Sequence, residues 1–168
     1  MRLPKQLVAG LVLVIMAGAP WRINAADKRR LTMYFIDVEG GQSTLIVTPA
    51  GESLLVDTGY AADGRDSARI LAAARDAGIT RIDHLLLTHF HPDHEGGATE
   101  LSGRIPIGTF YDHGDFERSE AVLADPGWPR LRAAYEGFVA ARAKGKHVEP
   151  KVATRLPLGH QAGLRGWI

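Results

Sequence analysis

A six-residue segment, His89-Phe90-His91-Pro92-Asp93-His94, constrains what this chain can fold into more than any other part of the sequence. It carries three imidazoles and one carboxylate, which are ligands that zinc and its first-row neighbours prefer. An apolar run at residues 85–87 precedes it, so we expect a strand over residues 84–88. Residues two apart in a strand point to the same side, and we therefore expect His89 and His91 to face one metal ion.

The residues after this pair are expected to change direction. Pro92 has no N–H and a fixed φ, so it should stop the strand and bend the chain. Asp93 and His94 can then point elsewhere, toward a second ion, and Gly96-Gly97 allows close backbone approach before a helix begins near residue 95. The alternative is a polar loop whose ligand-type residues are coincidental. Four such residues directly behind an apolar strand favour the metal site.

The pattern His-x-His-x-Asp-His resembles that of the metallo-β-lactamase superfamily of metal-dependent hydrolases. Two further segments carry the resemblance: Asp57-Thr58-Gly59, which follows the apolar residues 54–56, and Ile36-Asp37-Val38-Glu39-Gly40-Gly41-Gln42-Ser43. The second segment is similar to the strand and turn of the subgroup related to DNA-uptake competence proteins. The resemblance covers residues 31 to about 110. It implies an α/β fold, the αββα sandwich of two αβ halves, with a metal cleft along one edge.

The resemblance also implies roles for the residues of the motif. His89, His91, Asp93 and His94 are the expected metal ligands, and Asp93 is the expected catalytic residue. Asp93 either helps His94 hold a second ion or orients and deprotonates the attacking water. Zinc is the expected cofactor, as one or two ions, although a site rich in nitrogen and oxygen also accepts iron or manganese. The family's remaining ligands come from its second half.

Most of that second half is missing from this sequence. We therefore expect a domain over residues 31–168 that is truncated at its C-terminus, with only the N-terminal αβ half complete. Either the gene product is truncated or frameshifted, which we favour, or a partner or second copy completes the fold. A half sandwich exposes an apolar sheet face, so self-association is expected. His160, in a Gly-His-x-x-Gly sequence, is either a further ligand or part of a frayed tail.

Hydrophobic periodicity predicts the other elements of the domain. We expect residues 31–38 to form a strand buried on both faces, because apolar residues occupy both of its sides. A helix is expected to end at Gly78, a residue that suits a helix C-terminus. Further strands are predicted at residues 44–48, 53–56, 105–110 and 148–156, and a further helix within 126–144. The strand at 105–110 contains a proline and is therefore expected at a sheet edge.

Three polar residues outside the motif have two interpretations each. Asp57, at the end of a strand, either orients the histidine loop through hydrogen bonds or simply caps a turn. His113 lies in a polar loop after a strand and either lines the substrate cleft or belongs to a plain turn. We expect His84, at the start of its strand, to pack or to face solvent and not to bind metal.

The first 25 residues are expected to be a cleaved signal peptide. Arg2 and Lys5 precede an apolar run, and Ala25-Ala26 offers a small-residue cleavage site. The run is short for a membrane span, although an uncleaved anchor is the alternative. We therefore expect an exported protein, periplasmic or secreted, with no membrane span after cleavage. The formal charge of +1 and the absence of a basic, aromatic-rich patch argue against nucleic-acid binding.

The sequence thus favours a hydrolase that uses a zinc-activated water on an ester-type bond, a phosphodiester, lactone or thioester, in a small-molecule substrate. The competence-like segment favours a phosphodiester or related ester. The alternative is a truncated, catalytically inactive remnant that still binds metal. A simple binding module is the third possibility. With no cysteine in the chain, any metal ligands must be His, Asp or Glu.

Overall fold

A computed structural model describes residues 30–115, 124–158 and 166–167 of the chain. The predicted signal peptide and His160 lie outside these residues. None of the described helices is both long enough and apolar enough to span a membrane.

Six strands form one mixed sheet in the order β1-β2-β3-β4-β5-β6. Two pairs are antiparallel, β1 with β2 and β2 with β3. The other three are parallel, β3 with β4, β4 with β5 and β5 with β6. Two short strands, β7 and β8, pair antiparallel in a separate ribbon. The eight strands are Thr32–Phe35, Thr44–Val47, Ser53–Val56, Ile82–Leu86, Ile107–Tyr111, Lys146–Val148, Arg155–Leu156 and Gly166–Trp167.

Helices occupy the connections between the parallel strands. A 3-10 turn at Ala62–Gly64 leads into α1, Arg65–Asp76, which joins β3 to β4. Gly78 follows α1 with φ +70°, the left-handed conformation that ends helices readily, so the predicted helix end is confirmed. The other helices are α2, Pro92–Glu95, α3, Ala98–Arg104, and α4, Trp128–Arg142. The helix expected near residue 95 is therefore split into α2 and α3.

The main hydrophobic core lies between the sheet and these helices. Its buried members include Leu45, Leu55, Leu85 and Phe110 of the sheet, Ile70 of α1, Leu101 of α3 and Phe138 of α4. A smaller cluster forms around Leu54, Tyr111 and Leu156. It contains Leu156 of β7, so the segment after β6 packs on residues of β3 and β5.

Two predictions about strand position are wrong. β1 was expected to be buried on both faces, but it pairs only with β2, and Phe35 is 81% exposed. Met33 and Phe35 are exposed on one face of the strand, whereas Tyr34, on the other face, packs against the core. β5 was expected at a sheet edge, but it pairs with both β4 and β6. Pro106 precedes the strand, so its missing N–H removes no bond from the ladder.

Candidate active site

The segment 89–94 leaves the carboxyl end of β4 and turns back over it. β4 ends at Leu86, two residues earlier than predicted, and Pro92 is the first residue of α2. A proline suits that position because the first N–H of a helix has no partner within it. The chain therefore turns at a short helix, and His91 is its extended N-cap residue, with φ −127° and ψ 147°.

The three imidazoles of the motif cluster at this turn. The ring centroids of His89 and His91 are 4.6 Å apart with an edge-on arrangement, and those of His89 and His94 are 4.0 Å apart. The single turn of α2 places the ring of His94 against that of His89, and the second ion expected at Asp93 and His94 stays a prediction.

A buried carboxylate, Asp57, holds the loop in this position. Its Oδ1 accepts the backbone N–H of Thr88 at 2.8 Å, and its Oδ2 accepts the Thr88 hydroxyl and the Nδ1 of His94, each at 2.8 Å. Asp57 is fully buried and has φ +57°, a left-handed conformation that aspartate tolerates better than most residues. Of the two interpretations of Asp57, the hydrogen bonds match the one that orients the histidine loop.

The hydrogen bond to Asp57 also orients the ring of His94. With Nδ1 hydrogen-bonded to the carboxylate, Nε2 is the ring nitrogen left to bind a metal ion. That Nε2 lies 3.4 Å from Oδ2 of Asp93. Two acceptors at this distance repel one another unless a proton or a cation lies with them. The pair thus has the chemistry of a partial metal site.

His89 is also in a form that suits metal binding. Burial, and then the neighbouring rings of His94 and His91, hold the pKa of His89 below its ordinary value. Metals bind the neutral imidazole, so a lowered pKa favours binding at neutral pH. Thr88 adds a hydroxyl 3.1 Å from Nδ1 of His89. The sequence interpretation had not singled out Thr88, although it directly precedes the motif.

Backbone contacts fix the other side of the loop. The N–H of Gln42 donates to the carbonyl oxygen of Asp93 at 3.1 Å, and the N–H of Thr58 donates to that of His94 at 2.7 Å. A Cβ at Gly41 would collide with the backbone of Asp93. A Cβ at Gly97 would collide with the Thr58 carbonyl, so the expected close approach at the diglycine is present. The two segments that carried the family resemblance thus support the histidine loop.

The donors fit a metal ion in kind but do not complete a site. Within residues 30–115 and 124–158, no three His, Asp or Glu side chains come close enough to form a full metal-binding group. The predicted ligands His89, His91, Asp93 and His94 therefore lie together as neighbours, and their role as ligands stays a prediction. A complete metal site would require small rotations of these side chains or ligand atoms from other residues.

The other histidines have different surroundings. His84 is buried, and its ring is in hydrogen-bond range of the Tyr111 hydroxyl at 3.4 Å. Burial lowers the pKa of His84. His113 is exposed, with its ring centroid 4.6 Å from that of Phe90 inside the motif. Its loop therefore borders the motif, while its role in the cleft stays a prediction.

Glu95 is an unusual residue next to the site. Its side chain is buried, and neither carboxyl oxygen has a hydrogen-bond partner among the described residues. Burial raises the pKa of Glu95 to about 8, so the group is largely protonated at neutral pH. Sequence reasoning missed it because a glutamate in a polar loop is ordinarily exposed.

The chain belongs to the metallo-beta-lactamase superfamily. The family model of that description matches residues 36–164, which is most of the chain. The match confirms the predicted family and agrees with the α/β fold described above.

Three known proteins illustrate the relationship. The chain is 33% identical over 100 residues to the competence protein ComA of Neisseria gonorrhoeae, covering 60% of this chain and 14% of ComA. It is 36% identical over 75 residues to an atrochrysone carboxyl ACP thioesterase of Cryptosporiopsis sp. (strain 8999), covering 44% of this chain and 23% of that protein. The metallo-beta-lactamase SMB-1, solved with 2-mercaptoethanesulfonate, matches 76% of this chain and 47% of its own, with a TM-score of 0.53 and 20% identity.

The prediction that only the N-terminal αβ half is complete stays a prediction. The chain spans less than half the length of each of the three proteins. The likeness to SMB-1 is one of fold alone. The similarity to a competence protein agrees with the resemblance noted at the segment 36–43.

Proposed function

We propose that this chain is a metal-dependent hydrolase that uses an activated water to cleave an ester-type bond. The observation that carries the proposal is the hydrogen bond from His94 Nδ1 to the buried Asp57 carboxylate, beside the His89 and His91 rings. Hydrogen bonds of this kind orient metal-bound histidines in many proteins. Membership of the superfamily and the similarity to a thioesterase support the same class of chemistry.

Each residue of the motif has a role in this proposal. His89, His91 and the Nε2 of His94 would hold zinc, with iron or manganese as alternatives. A bound ion lowers the pKa of a water toward about 7 and polarises the oxygen of the bond under attack. The Oδ2 of Asp93 orients the water and accepts its proton. Asp57 and Thr88 keep the loop in position throughout the reaction.

The comparisons support more than one class of substrate. Among phosphodiesters, lactones and thioesters, the similarity to a thioesterase favours a thioester, whereas the similarity to a competence protein agrees with the earlier preference for a phosphodiester. The same attacking water serves all three, since each requires a nucleophile and a polarised oxygen. A panel containing one substrate of each kind therefore discriminates among them.

The test combines metal content with turnover. The purified full chain is loaded with zinc, analysed for bound metal, and assayed against bis-p-nitrophenyl phosphate, a thioester and a lactone. We expect bound zinc and hydrolysis of at least one substrate. Asp93→Asn should reduce hydrolysis by about 100-fold or more, since removing a general base typically costs that much. Asp63→Asn is the matched control, because Asp63 is exposed and lies in a different loop.

The second candidate function is an inactive, metal-binding remnant. It is favoured by the absence of a complete metal-binding group among the described residues. It predicts weak binding of about one ion and no hydrolysis of any substrate in the panel. Bound metal with turnover that depends on Asp93 rejects it.

Export is a further proposal for the N-terminal segment. We propose that residues 1–25 direct secretion and are removed near Ala25 or Ala26, on the basis of the basic and apolar sequence described above. Amino-terminal sequencing of protein recovered from the periplasm or medium tests this. A chain that retains Met1 in the cytoplasmic fraction contradicts it.

A further inference from the structure

A groove runs from the motif loop along α4. It has a volume of about 710 Å³ and lies between the β1–β2 loop, the start of α1, the α2–α3 turn and α4. A second groove of about 260 Å³ adjoins it and includes Asp93 in its wall. The two grooves share Tyr60, Pro92 and Arg130. The first has the size of a small-molecule site, and the second connects it to the expected catalytic residue.

The charges in the groove are mostly neutralised within the protein. Arg65 contacts Glu39 at 2.7 Å and Asp66 at 2.6 Å, so both of its neighbours are carboxylates. Glu39 is the acidic residue of the first groove and is held by that contact. Arg130 differs, because its side chain is exposed and forms no ion pair with any residue the structure describes.

Tyr60 lies on the same shared wall. Its backbone N–H donates to Asp66 Oδ2 at 2.8 Å. The N–H of the adjacent Gly59 donates to the Gln42 carbonyl, and the Gly59 carbonyl accepts the N–H of Gly97. The position of Tyr60 is therefore fixed by the same contacts that support the histidine loop. Its hydroxyl forms no hydrogen bond with another described side chain or backbone group, so a donor remains available in the groove.

The amides at the start of α4 do not offer a comparable site. The N–H of Trp128 donates to Asp125, Pro129 has none, and the N–H of Arg130 donates to Gly127. An anion in the groove would therefore interact with side chains, and the guanidinium of Arg130 is the group with spare donors.

We propose that Arg130, assisted by the Tyr60 hydroxyl, binds an anionic group of the substrate, a carboxylate or a phosphate. The reacting bond of such a substrate then lies toward Asp93, while its anionic end lies at the shared wall of the two grooves. The inference rests on the proposed hydrolase and specifies its substrate as an ester or thioester that carries a negative charge. Arg130 determines specificity in this proposal and takes no part in bond cleavage.

Binding of uncleavable analogues tests the proposal independently of turnover. Isothermal titration of the zinc-loaded full chain is performed with N-phenylsuccinamate and with its neutral primary amide. A second arm uses the phosphonate N-benzoyl-2-aminoethylphosphonate and neutral N-ethylbenzamide, which distinguishes a phosphate-like group from a carboxylate. We expect at least one anionic analogue to bind more tightly than its neutral partner. Arg130→Ala should weaken that binding by about 10- to 100-fold, the usual effect of losing a charged hydrogen bond.

Arg132→Ala is the matched control, since Arg132 lies on the same helix, pairs with Glu136 and lines neither groove. It changes the net charge equally and should leave the affinity unchanged. Equal binding to wild type and Arg130→Ala, equal loss in both variants, or no preference for either anionic analogue overturns the proposal. In hydrolysis of p-nitrophenyl hemisuccinate, Arg130→Ala should raise KM with little change in kcat. Anion binding without hydrolysis of any ester refutes the hydrolase while leaving the anion site in place.

Discussion

Replacing Asp57 by asparagine tests whether this carboxylate determines both the stability of the loop and its affinity for metal. Asparagine has nearly the same shape and tolerates the left-handed backbone at φ +57°. Its oxygen can still accept the N–H of Thr88. Its amide group, however, is a donor, and it would face the Nδ1 proton of His94. His94 must then move or shift its proton to Nε2, the atom expected to bind metal.

The structure sets the size of this effect. Asp57 accepts three hydrogen bonds at 2.8 Å while fully buried. Losing one charged hydrogen bond in such a position costs about 1.5 to 3 kcal/mol, and we expect a loss of free energy of unfolding in that range. Disturbing an outer carboxylate typically weakens metal binding by about 10- to 100-fold, and the same is expected here.

Two measurements on the same preparations check the prediction. Urea unfolding of the metal-free protein reports stability, and competition with a chromophoric chelator reports zinc affinity. Asp63→Asn is the control because Asp63 is exposed and also has a left-handed backbone, with φ +49°. If Asp57→Asn binds zinc as tightly as wild type and unfolds at the same urea concentration, the proposed role of Asp57 is refuted.

Three further perturbations follow from the structure. Gly41→Ala places a Cβ against the backbone of Asp93, so it should lower the free energy of unfolding by about 1 to 3 kcal/mol and slow hydrolysis. Gly103 has open space around it, so Gly103→Ala should change neither stability nor hydrolysis. Burial raises the pKa of Glu95 from 4.5 to about 8, so the unfolded chain loses this proton at a lower pH than the folded chain. The free energy of unfolding, measured with urea, should therefore fall as the pH rises between these values, by at most about 5 kcal/mol. Glu95→Gln should remove that fall, and a pH profile identical to that of the wild type would contradict the assignment. Phe35 is 81% exposed on β1, so the wild type should self-associate in sedimentation and Phe35→Ser should do so less; a wild-type monomer at all concentrations contradicts this.

Local patterns were sufficient to predict much of the fold. The end of α1 at Gly78 depends only on residues close in sequence, and it was located correctly. The motif also required no tertiary information, since ligand chemistry is carried by residue type. The resemblance of the motif indicated the family, and the α/β fold class followed from that resemblance.

Features that depend on distant neighbours were not predictable in the same way. β1 and β5 have similar apolar sequences, and only the strand order shows that β1 is an edge and β5 is internal. The contact between His94 and Asp57 joins residues 37 positions apart. Glu95 is buried because α2 turns it inward, which its sequence neighbours do not indicate.

The supports of the histidine loop lie within one part of the sheet. β3 and β4 are parallel neighbours, so Asp57 at the end of one and Thr88 beyond the end of the other meet at the same sheet edge. The β1–β2 loop reaches the same place through Gln42. These hydrogen bonds are made within the protein, so we expect little of the metal-binding free energy to be spent on ordering the loop. Differences in zinc affinity among variants should then reflect the number and direction of the metal-ligating atoms. A proton on Nε2 of His94 removes one of these atoms, so we expect Asp57→Asn to weaken zinc binding strongly.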